Sequence, residues 1–147
     1  MIRIAYVDTS AFVKRFVQES RSDEMDAFAA EGSHRLAVSS LTVTEFRSVM
    51  KRRLRMHTVT REFLNTAVQQ FLHEIAADAL RFHAIEAATF NLAAELIDSL
   101  ASPLATLDAL HLASAKACGA TLMVSADKQL IKASRESGLK VLDLAQA

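Results

Sequence analysis

Four acidic residues each stand where a short apolar run gives way to a helical pattern: Asp8, Glu45, Asp108 and Asp127. In an open parallel sheet these junctions lie at the carboxyl ends of the strands, where ligands bind, so carboxylates far apart in sequence can converge. Like charges held close together are unfavourable without a cation, and oxygen ligands without thiolate or imidazole suit Mg²⁺ or Mn²⁺. The expected chemistry is phosphoryl transfer, in which a metal ion activates water and neutralises the leaving oxygen.

Each of these acids also has a simpler interpretation. Asp is favoured at helix starts, and a carboxylate in the first turns of a helix, where Glu45 is expected, complements the helix dipole. A single acid is therefore expected to be a cap or a solvated residue, whereas four at equivalent junctions favour a shared site. Other acids, such as Glu74, Asp78 and Asp98, fall on helix interiors or ends and are assigned to solvated faces.

The elements that must position the acids alternate between strand and helix. Short β-branched and apolar runs predict strands at Ile2–Val7, Leu36–Val38, Leu80–Phe82, Thr121–Val124 and Leu139–Leu142. Apolar residues at helical spacing predict helices after Asp8 and after Ser39, and also at Ser22–Glu31, Thr60–Ala77, Ala84–Leu100, Leu107–Cys118 with Thr106 as its N-cap, and Lys128–Ser137. This alternation implies right-handed crossovers. It predicts an α/β fold, a three-layer domain with a central parallel sheet flanked by helices.

Composition limits the class of protein. The 147 residues fit one domain, 1–147, and 51% apolar content with 3 Gly and 1 Pro argues against disorder. Lys plus Arg and Asp plus Glu both number 17, so binding of nucleic acid would need a local basic patch. One cysteine excludes an intramolecular disulfide. The opening apolar run is too short for a signal peptide, and no stretch reaches the roughly 20 residues of a membrane span, so a cytoplasmic protein is expected.

Four segments together resemble the PIN-domain family and, within it, the VapC-type ribonuclease toxins: Tyr6–Lys14, Ser39–Glu45, Leu107–Ala113 and Val124–Asp127. The resemblance covers nearly the whole chain in order and spacing. Carried over by position, the four acids match the family's acidic quartet of catalytic metal ligands. The supporting hydroxyl positions match Thr9, Ser10 and Ser125, the last being a position where Thr is common.

The resemblance implies a specific function for this chain. It implies a small nuclease whose acidic pocket binds Mg²⁺ or Mn²⁺ and which hydrolyses RNA phosphodiester bonds as an endoribonuclease. It also implies the toxin of a type II toxin–antitoxin pair, a homodimer, and a cognate antitoxin that covers the active-site groove with a basic side chain reaching into the pocket. Which RNA is cut is not specified by the motifs.

Basic residues suggest where RNA could bind. The densest positive charge begins on the helix that carries Glu45, and its members are Arg47, Lys51, Arg52, Arg53, Arg55 and then Arg61. This patch could hold phosphates, with Arg47 and Lys51 as the candidate substrate contacts; the alternative is a solvated helix face. Lys14 and Arg15, just beyond Asp8, are further candidate substrate contacts. The five histidines show no metal-ligand spacing. His111, three residues after Asp108, could lie near the pocket, but an ordinary packed or surface histidine is the expected interpretation.

Two other functions remain open at this stage. Receiver domains and aspartate-nucleophile phosphatases also place acids after strands beside Mg²⁺. Receiver domains have two adjacent acids after the first strand, and the phosphatases have a second Asp two residues after the nucleophilic Asp. Here these positions hold Thr9 and Ser10. The other alternative is a non-catalytic module that keeps a PIN-like fold as an interaction surface.

Overall fold

The central sheet has five strands, all parallel. The computed structural model describes residues 2–146, and the strands within them are β1 (Arg3–Val7), β2 (His34–Ser39), β3 (Arg81–His83), β4 (Leu122–Ser125) and β5 (Lys140–Asp143). Their order across the sheet is β3-β2-β1-β4-β5, and each neighbouring pair is parallel. The predicted parallel α/β architecture is confirmed.

The helices lie between the strands along the chain. They are α1 (Thr9–Phe12), α2 (Ser22–Glu31), α3 (Ser40–Arg55), α4 (Arg61–Ala76), α5 (Ala87–Ser99), α6 (Thr106–Ala117) and α7 (Lys128–Glu136), and a single 3-10 turn, Val13–Arg15, follows α1. Within residues 2–146, none is long and apolar enough to cross a membrane.

Alternating side chains of the strands build one core on each face of the sheet. Val7 packs into the core formed by α1 to α4, where the Phe12, Phe46 and Phe71 rings lie with centroids 4.5 to 5.8 Å apart. Tyr6 points to the opposite core, which is built with α5, α6 and α7. Because successive side chains of a strand face opposite sides, the sequence produces the three layers that the periodicity predicted.

The strand order creates a crevice beside the central strand. The chain adds β2 and β3 on one side of β1, then crosses over and adds β4 and β5 on the other side. The order therefore reverses between β1 and β4, and in open α/β sheets ligands bind outside the carboxyl ends of the strands at such a reversal. Asp8 leaves β1 at this point, and its backbone N–H donates to the carbonyl of Val124 in β4 at 3.1 Å.

The start of α5 differs from the prediction. The helix begins at Ala87, three residues later than its apolar pattern suggested. Before it, the backbone N–H of Ile85 donates to Ser40 Oγ at 2.9 Å. This bond ties the exit of β3 to the start of α3, so residues that could have been helical are held outside the helix.

The start of α6 also differs. Thr106 was predicted to be the N-cap, but the cap position is Ala105, whose extended backbone has φ −70° and ψ 156° and which makes no side-chain cap bond. Thr106 is the first helical residue. Asp108 is therefore the third, still within the first turn and at the same edge of the sheet as Asp8.

Candidate active site

All four predicted acids line one cleft at the carboxyl edge of the sheet. The cleft has a volume of about 190 Å³, and its lining consists of Asp8, Thr9, Ser10, Glu45, Val49, Asp108, His111 and Asp127. Four elements position the acids: the β1–α1 junction, α3, the first turn of α6 and the β4–α7 junction. Residues separated by up to 119 positions thus share one small space, as the parallel sheet requires.

Asp8 is the most buried of the acids, with 3% of its surface exposed. Its Oδ1 accepts from the backbone N–H of Ala11 at 3.0 Å, so it caps α1, and the Ser10 hydroxyl donates to Oδ1 and Oδ2 at 2.7 and 2.9 Å. The Ser125 hydroxyl donates to Oδ2 at 2.7 Å. Burial raises the pKa of Asp8, although the nearby His111 and these hydrogen bonds oppose the rise. Capping and site formation are therefore compatible roles for one carboxylate.

Ser125 and Ser10 join the two junctions on either side of the crevice. Besides binding Asp8, Ser125 Oγ accepts from the backbone N–H of Asp127 at 2.9 Å, and Ser10 Oγ accepts from the backbone N–H of Ala126 at 3.0 Å. Asp127 itself caps α7, its Oδ1 accepting from the N–H groups of two residues in the first turn at 2.9 and 3.0 Å. The two hydroxyls therefore fix the β4–α7 turn against the β1–α1 turn.

Glu45 reaches the cleft from α3 and is held through one oxygen. Thr9 Oγ1 donates to Glu45 Oε1 at 2.6 Å, and His111 Nε2 lies 2.6 Å from the same oxygen. Burial would raise the pKa of Glu45, but the hydrogen bond and charge of His111 and the Thr9 hydroxyl outweigh it, so the pKa is lowered. Glu45 is therefore ionised at neutral pH.

Asp108 experiences the accumulated negative charge of the cleft. Burial, followed by the charges of Asp127, Asp8 and Glu45, raises its pKa from 3.8 to about 6, against a smaller lowering by His111. A carboxyl group in this position is harder to ionise than one in water, because it is partly removed from solvent and because its neighbours carry like charge.

The cleft is not a ready-made ligand cluster. Within residues 2–146, no three His, Cys, Asp or Glu side chains converge closely enough to hold a metal ion, yet all four carboxyl groups line the same cleft. The shared lining is the more informative observation, because side-chain rotation alone changes the spacing of carboxyl groups that line one cleft. The donor set is carboxylate and hydroxyl oxygen, which is what Mg²⁺ and Mn²⁺ prefer.

His111 lines the cleft, which was the less favoured of the two interpretations that the sequence offered for it. It is 3% exposed, and its Nδ1 lies 2.7 Å from the Tyr6 hydroxyl, which in turn lies 2.9 Å from Ser39 Oγ. Burial raises the pKa of Tyr6. The only sequence signal was its spacing of three residues from Asp108, one helical turn, which places both side chains on the same side of α6.

The two basic residues predicted after Asp8 have partners within the fold. Lys14 is 7% exposed, and its Nζ donates to the carbonyl of Ser20 at 2.6 Å. Arg15 forms an ion pair with Glu74 at 2.9 Å, and its guanidinium also lies over two Phe rings of the core. Glu74, which was assigned to a solvated face, is in fact buried. The substrate-binding role of Lys14 and Arg15 stays a prediction.

A basic groove adjoins the cleft. It has a volume of about 780 Å³, shares Ser10, Val49 and Asp127 with the cleft, and is lined by four cationic side chains, Lys14, Arg52, Arg53 and Lys128. Glu19 also lines the groove and forms ion pairs with Arg53 at 2.7 Å and with Lys14 at 3.8 Å. Lys128 also lines a neighbouring cavity of about 480 Å³, whose other cationic residues are Arg21, Lys132 and Arg135. Positive charge therefore extends from the acidic cleft along α7.

Only part of the basic run on α3 lines this groove: Arg52 and Arg53 do, whereas Arg47 and Lys51 do not. Arg52 follows Glu45 by seven positions, about two helical turns, so it lies on the same side of α3. Arg47 and Lys51 follow Glu45 by two and six positions, and the helical rotation of roughly 100° per residue turns both to the other side, where they are exposed. Their role as substrate contacts stays a prediction.

The family model of the PIN domain matches residues 5–136, which include all four acids and His111. The chain belongs to the PIN-domain family. Membership removes the receiver-domain and phosphatase alternatives, which belong to other α/β folds. No curated protein matches the chain closely enough to count as a relative.

Several solved structures share the fold of this PIN domain. The Mycobacterium tuberculosis VapC20, a sarcin-ricin loop cleaving toxin, has a TM-score of 0.69 at 17% identity, over 88% of this chain and 94% of that chain. A chain of DNA-bound VapBC from Salmonella typhimurium has a TM-score of 0.64 at 17% identity, over 98% and 99%. A chain of promoter-bound VapBC2 from Rickettsia felis has a TM-score of 0.63 at 16% identity, over 95% and 98%. At these identities the likeness shows the fold alone.

Proposed function

We propose that this PIN domain is a metal-dependent endoribonuclease and the toxin of a type II toxin–antitoxin pair. The observation that carries the proposal is the convergence of Asp8, Glu45, Asp108 and Asp127 on one cleft at the reversal point of the sheet. Membership of the PIN family and the basic groove beside the cleft support it. A non-catalytic binding module would not need four interacting carboxylates, which destabilise one another.

The acids are arranged to serve as oxygen ligands of a divalent cation. Hydrogen bonds within the described chain engage Oε1 of Glu45 and Oδ1 of Asp127, so each keeps its second oxygen for another partner. Asp8 is fixed from both sides by hydroxyls and a backbone N–H. Mg²⁺ or Mn²⁺ bound there would supply Lewis-acid chemistry, making water nucleophilic near neutral pH and neutralising charge on a departing oxygen.

The protein's own contribution is position and charge. Ser10 and Ser125 hold Asp8 and the Asp127 turn together, which keeps the ligands from opposite sides of the crevice in register. Burial raises the pKa of Asp8 and, together with like charge, that of Asp108, so a positive charge placed in the cleft would favour the ionised form of both carboxyl groups. Fixing the two turns through Ser10 and Ser125 leaves mainly side-chain rotation to be restricted when a cation and a phosphate bind.

The groove fits the phosphate backbone of RNA. Its cations lie on both sides of the acidic cleft, with Arg52 and Arg53 on α3 and Lys128 on α7. A scissile phosphate in the cleft could therefore have its neighbouring phosphates paired with these side chains, which is the usual sequence-independent part of nucleic-acid binding. VapC20, which shares the fold, is a toxin that cleaves the sarcin-ricin loop; the RNA cut by this chain is left open.

The proposed partner is an antitoxin protein. Chains of similar fold occur in VapBC complexes bound to DNA. An antitoxin segment lying in the groove with a basic side chain in the acidic cleft would neutralise the carboxylates and exclude RNA at the same time. The homodimer implied by the resemblance stays a prediction, to be checked by light scattering of the purified chain.

Cleavage of pooled cellular RNA by purified, antitoxin-free protein with Mn²⁺ or Mg²⁺ tests the function. The matched variants are Asp8→Asn, which removes a carboxylate of the cleft, and Asp26→Asn, which removes an exposed carboxylate of α2. We expect discrete fragments from the wild type and Asp26→Asn and none from Asp8→Asn. Sequencing the fragment ends then identifies the target. Folded wild-type protein that cuts no RNA with any divalent cation would support a binding module instead.

A further inference from the structure

We propose that His111 is a positioning residue that fixes the Glu45 carboxylate through Oε1 and leaves Oε2 as the oxygen available to a divalent cation. This inference rests on the metal site of the proposed function but concerns a residue outside the acidic quartet. His111 lies on α6 and Glu45 on α3, which pack on opposite faces of the sheet. Their contact at 2.6 Å therefore joins the two helical layers at the edge of the cleft.

Both ring nitrogens of His111 are engaged, which fixes the ring. Nε2 contacts Glu45 Oε1 at 2.6 Å, and Nδ1 contacts the Tyr6 hydroxyl at 2.7 Å. The Tyr6 side chain is fully buried in the central strand, and its hydroxyl also lies 2.9 Å from Ser39 Oγ at the end of β2. The imidazole is thus anchored to two strands of the sheet rather than to its own helix.

The direction of the bond to Glu45 follows from the inventory of donors. An ionised carboxylate can only accept hydrogen bonds, so Nε2 must carry the proton that lies between it and Oε1. Nδ1 can accept from Tyr6 or donate to it, because a hydroxyl serves either role. Nε2–H therefore donates to Glu45 in both arrangements of the remaining protons.

Two donors converge on a single oxygen of Glu45. Thr9 Oγ1 and His111 Nε2 both contact Oε1 at 2.6 Å, and within residues 2–146 no hydrogen bond is made to Oε2. A Glu side chain has three rotatable bonds, and two bonds to one oxygen restrict the direction of the other. Outer hydrogen-bond partners of this kind orient metal ligands, and their loss typically weakens metal affinity about 10- to 100-fold.

Mn²⁺ binding in the absence of RNA tests the proposal, measured by electron paramagnetic resonance of free Mn²⁺ during titration. His111→Leu removes the donor, whereas His111→Gln places an amide N–H near the position of Nε2. We expect His111→Leu to weaken Mn²⁺ affinity at least about 10-fold and His111→Gln to stay within a few-fold of wild type. Melting curves identify any variant that fails to fold. In that case Tyr6→Phe, which removes only the hydroxyl that contacts His111 Nδ1, should weaken Mn²⁺ affinity by a smaller factor than His111→Leu.

A double-mutant cycle separates positioning from a purely structural role. If His111 acts through Glu45, adding His111→Leu to Glu45→Gln should weaken Mn²⁺ binding no further. Three results would overturn the proposal. His111→Leu could bind Mn²⁺ as tightly as wild type, the two substitutions could weaken Mn²⁺ binding additively in the cycle, or wild-type protein could bind no Mn²⁺. Wild-type protein that binds Mn²⁺ but cleaves no RNA would refute the proposed ribonuclease while leaving the positioning role established by the cycle.

Discussion

Replacing Asp108 by Asn should stabilise the protein when divalent cations are removed. The carboxyl group of Asp108 is half-buried among the other acids, which together with burial raise its pKa from 3.8 to about 6. At neutral pH the native state must nevertheless hold it ionised. Asn keeps the size of the side chain and removes the charge, so the variant loses the repulsion without creating a cavity.

The magnitude follows from the shift in pKa. About two pKa units correspond to about 3 kcal/mol of unfavourable desolvation and charge interaction at pH values above 6. Because the group is only half-buried, solvent screening reduces the figure to about 1 to 1.5 kcal/mol. For a domain of this size each kcal/mol shifts the melting temperature by roughly 2 to 4 °C. We therefore expect Asp108→Asn to melt about 2 to 6 °C above wild type in EDTA at pH 7.5.

The pH dependence has a defined sign. A group whose pKa is raised by folding favours the native state below its unfolded pKa and loses that contribution as the pH rises through the folded value. The advantage of Asp108→Asn should therefore be full above pH 6, smaller at pH 5, and absent below the unfolded pKa of 3.8. Melting curves at pH 7.5 and pH 5 measure this difference.

Mn²⁺ should reverse the order of stability. A ligand present at 100 times its dissociation constant stabilises the native state by about 2.7 kcal/mol, and the variant lacks one of the oxygen ligands. Asp26→Asn, the loss of an exposed carboxylate on α2, serves as the control and should follow wild type throughout. Two results would refute the inferred cost of ionising Asp108. One is a melting temperature of Asp108→Asn at or below that of wild type in EDTA at pH 7.5, and the other is an equal increase in melting temperature at pH 7.5 and pH 5.

Three further predictions concern the surroundings of the cleft. Arg52→Gln should weaken RNA binding by a catalytically inactive background and reduce the slope of log affinity against log salt by about 0.7. Arg3→Gln, which changes an exposed residue at the amino end of β1, should leave the slope unchanged; equal effects would contradict the assignment of the groove. Ser125→Ala should lower the free energy of unfolding in urea by about 1.5 to 3 kcal/mol, because buried Asp8 loses a donor; an unchanged midpoint would refute this. Glu136→Ala should speed hydrogen exchange in the α5–α6 loop, where its carboxylate accepts two backbone N–H bonds and one hydroxyl bond at 2.6 to 3.0 Å; unchanged protection would show that the loop is held by other contacts.

The sequence predicted the fold well because its signals are local. Apolar spacing and caps predicted both boundaries of α2 correctly and the boundaries of α4 to within one residue at each end. The Thr60 side chain caps α4 by accepting from the N–H of Phe63. The α5 start was wrong because a tertiary bond, from Ile85 N–H to Ser40 Oγ, competes with helix formation. No periodicity within residues 84–100 contains that information.

The candidate site could be predicted only in part. The acids follow strands, and parallel strands bring their carboxyl ends to one edge, so a shared location for Asp8 and Asp127 follows from topology. The contacts of His111 could not be predicted because its partners, Tyr6 and Glu45, are 105 and 66 positions away. The helical rotation that separates Arg47 from Glu45 on α3 is a geometric fact, and the role of Arg47 as a substrate contact stays a prediction.

RNA cleavage by the same preparation with Mn²⁺ and then with excess EDTA tests the central claim most directly, beside the Asp8→Asn, Asp108→Asn double variant. For a metal-dependent nuclease we expect RNA fragments from wild-type protein in Mn²⁺, no fragments after EDTA, and no fragments from the double variant under either condition. Melting curves must first show that the double variant is folded. Full cleavage persisting in excess EDTA, or in the double variant, would contradict a metal-dependent nuclease built on these carboxylates.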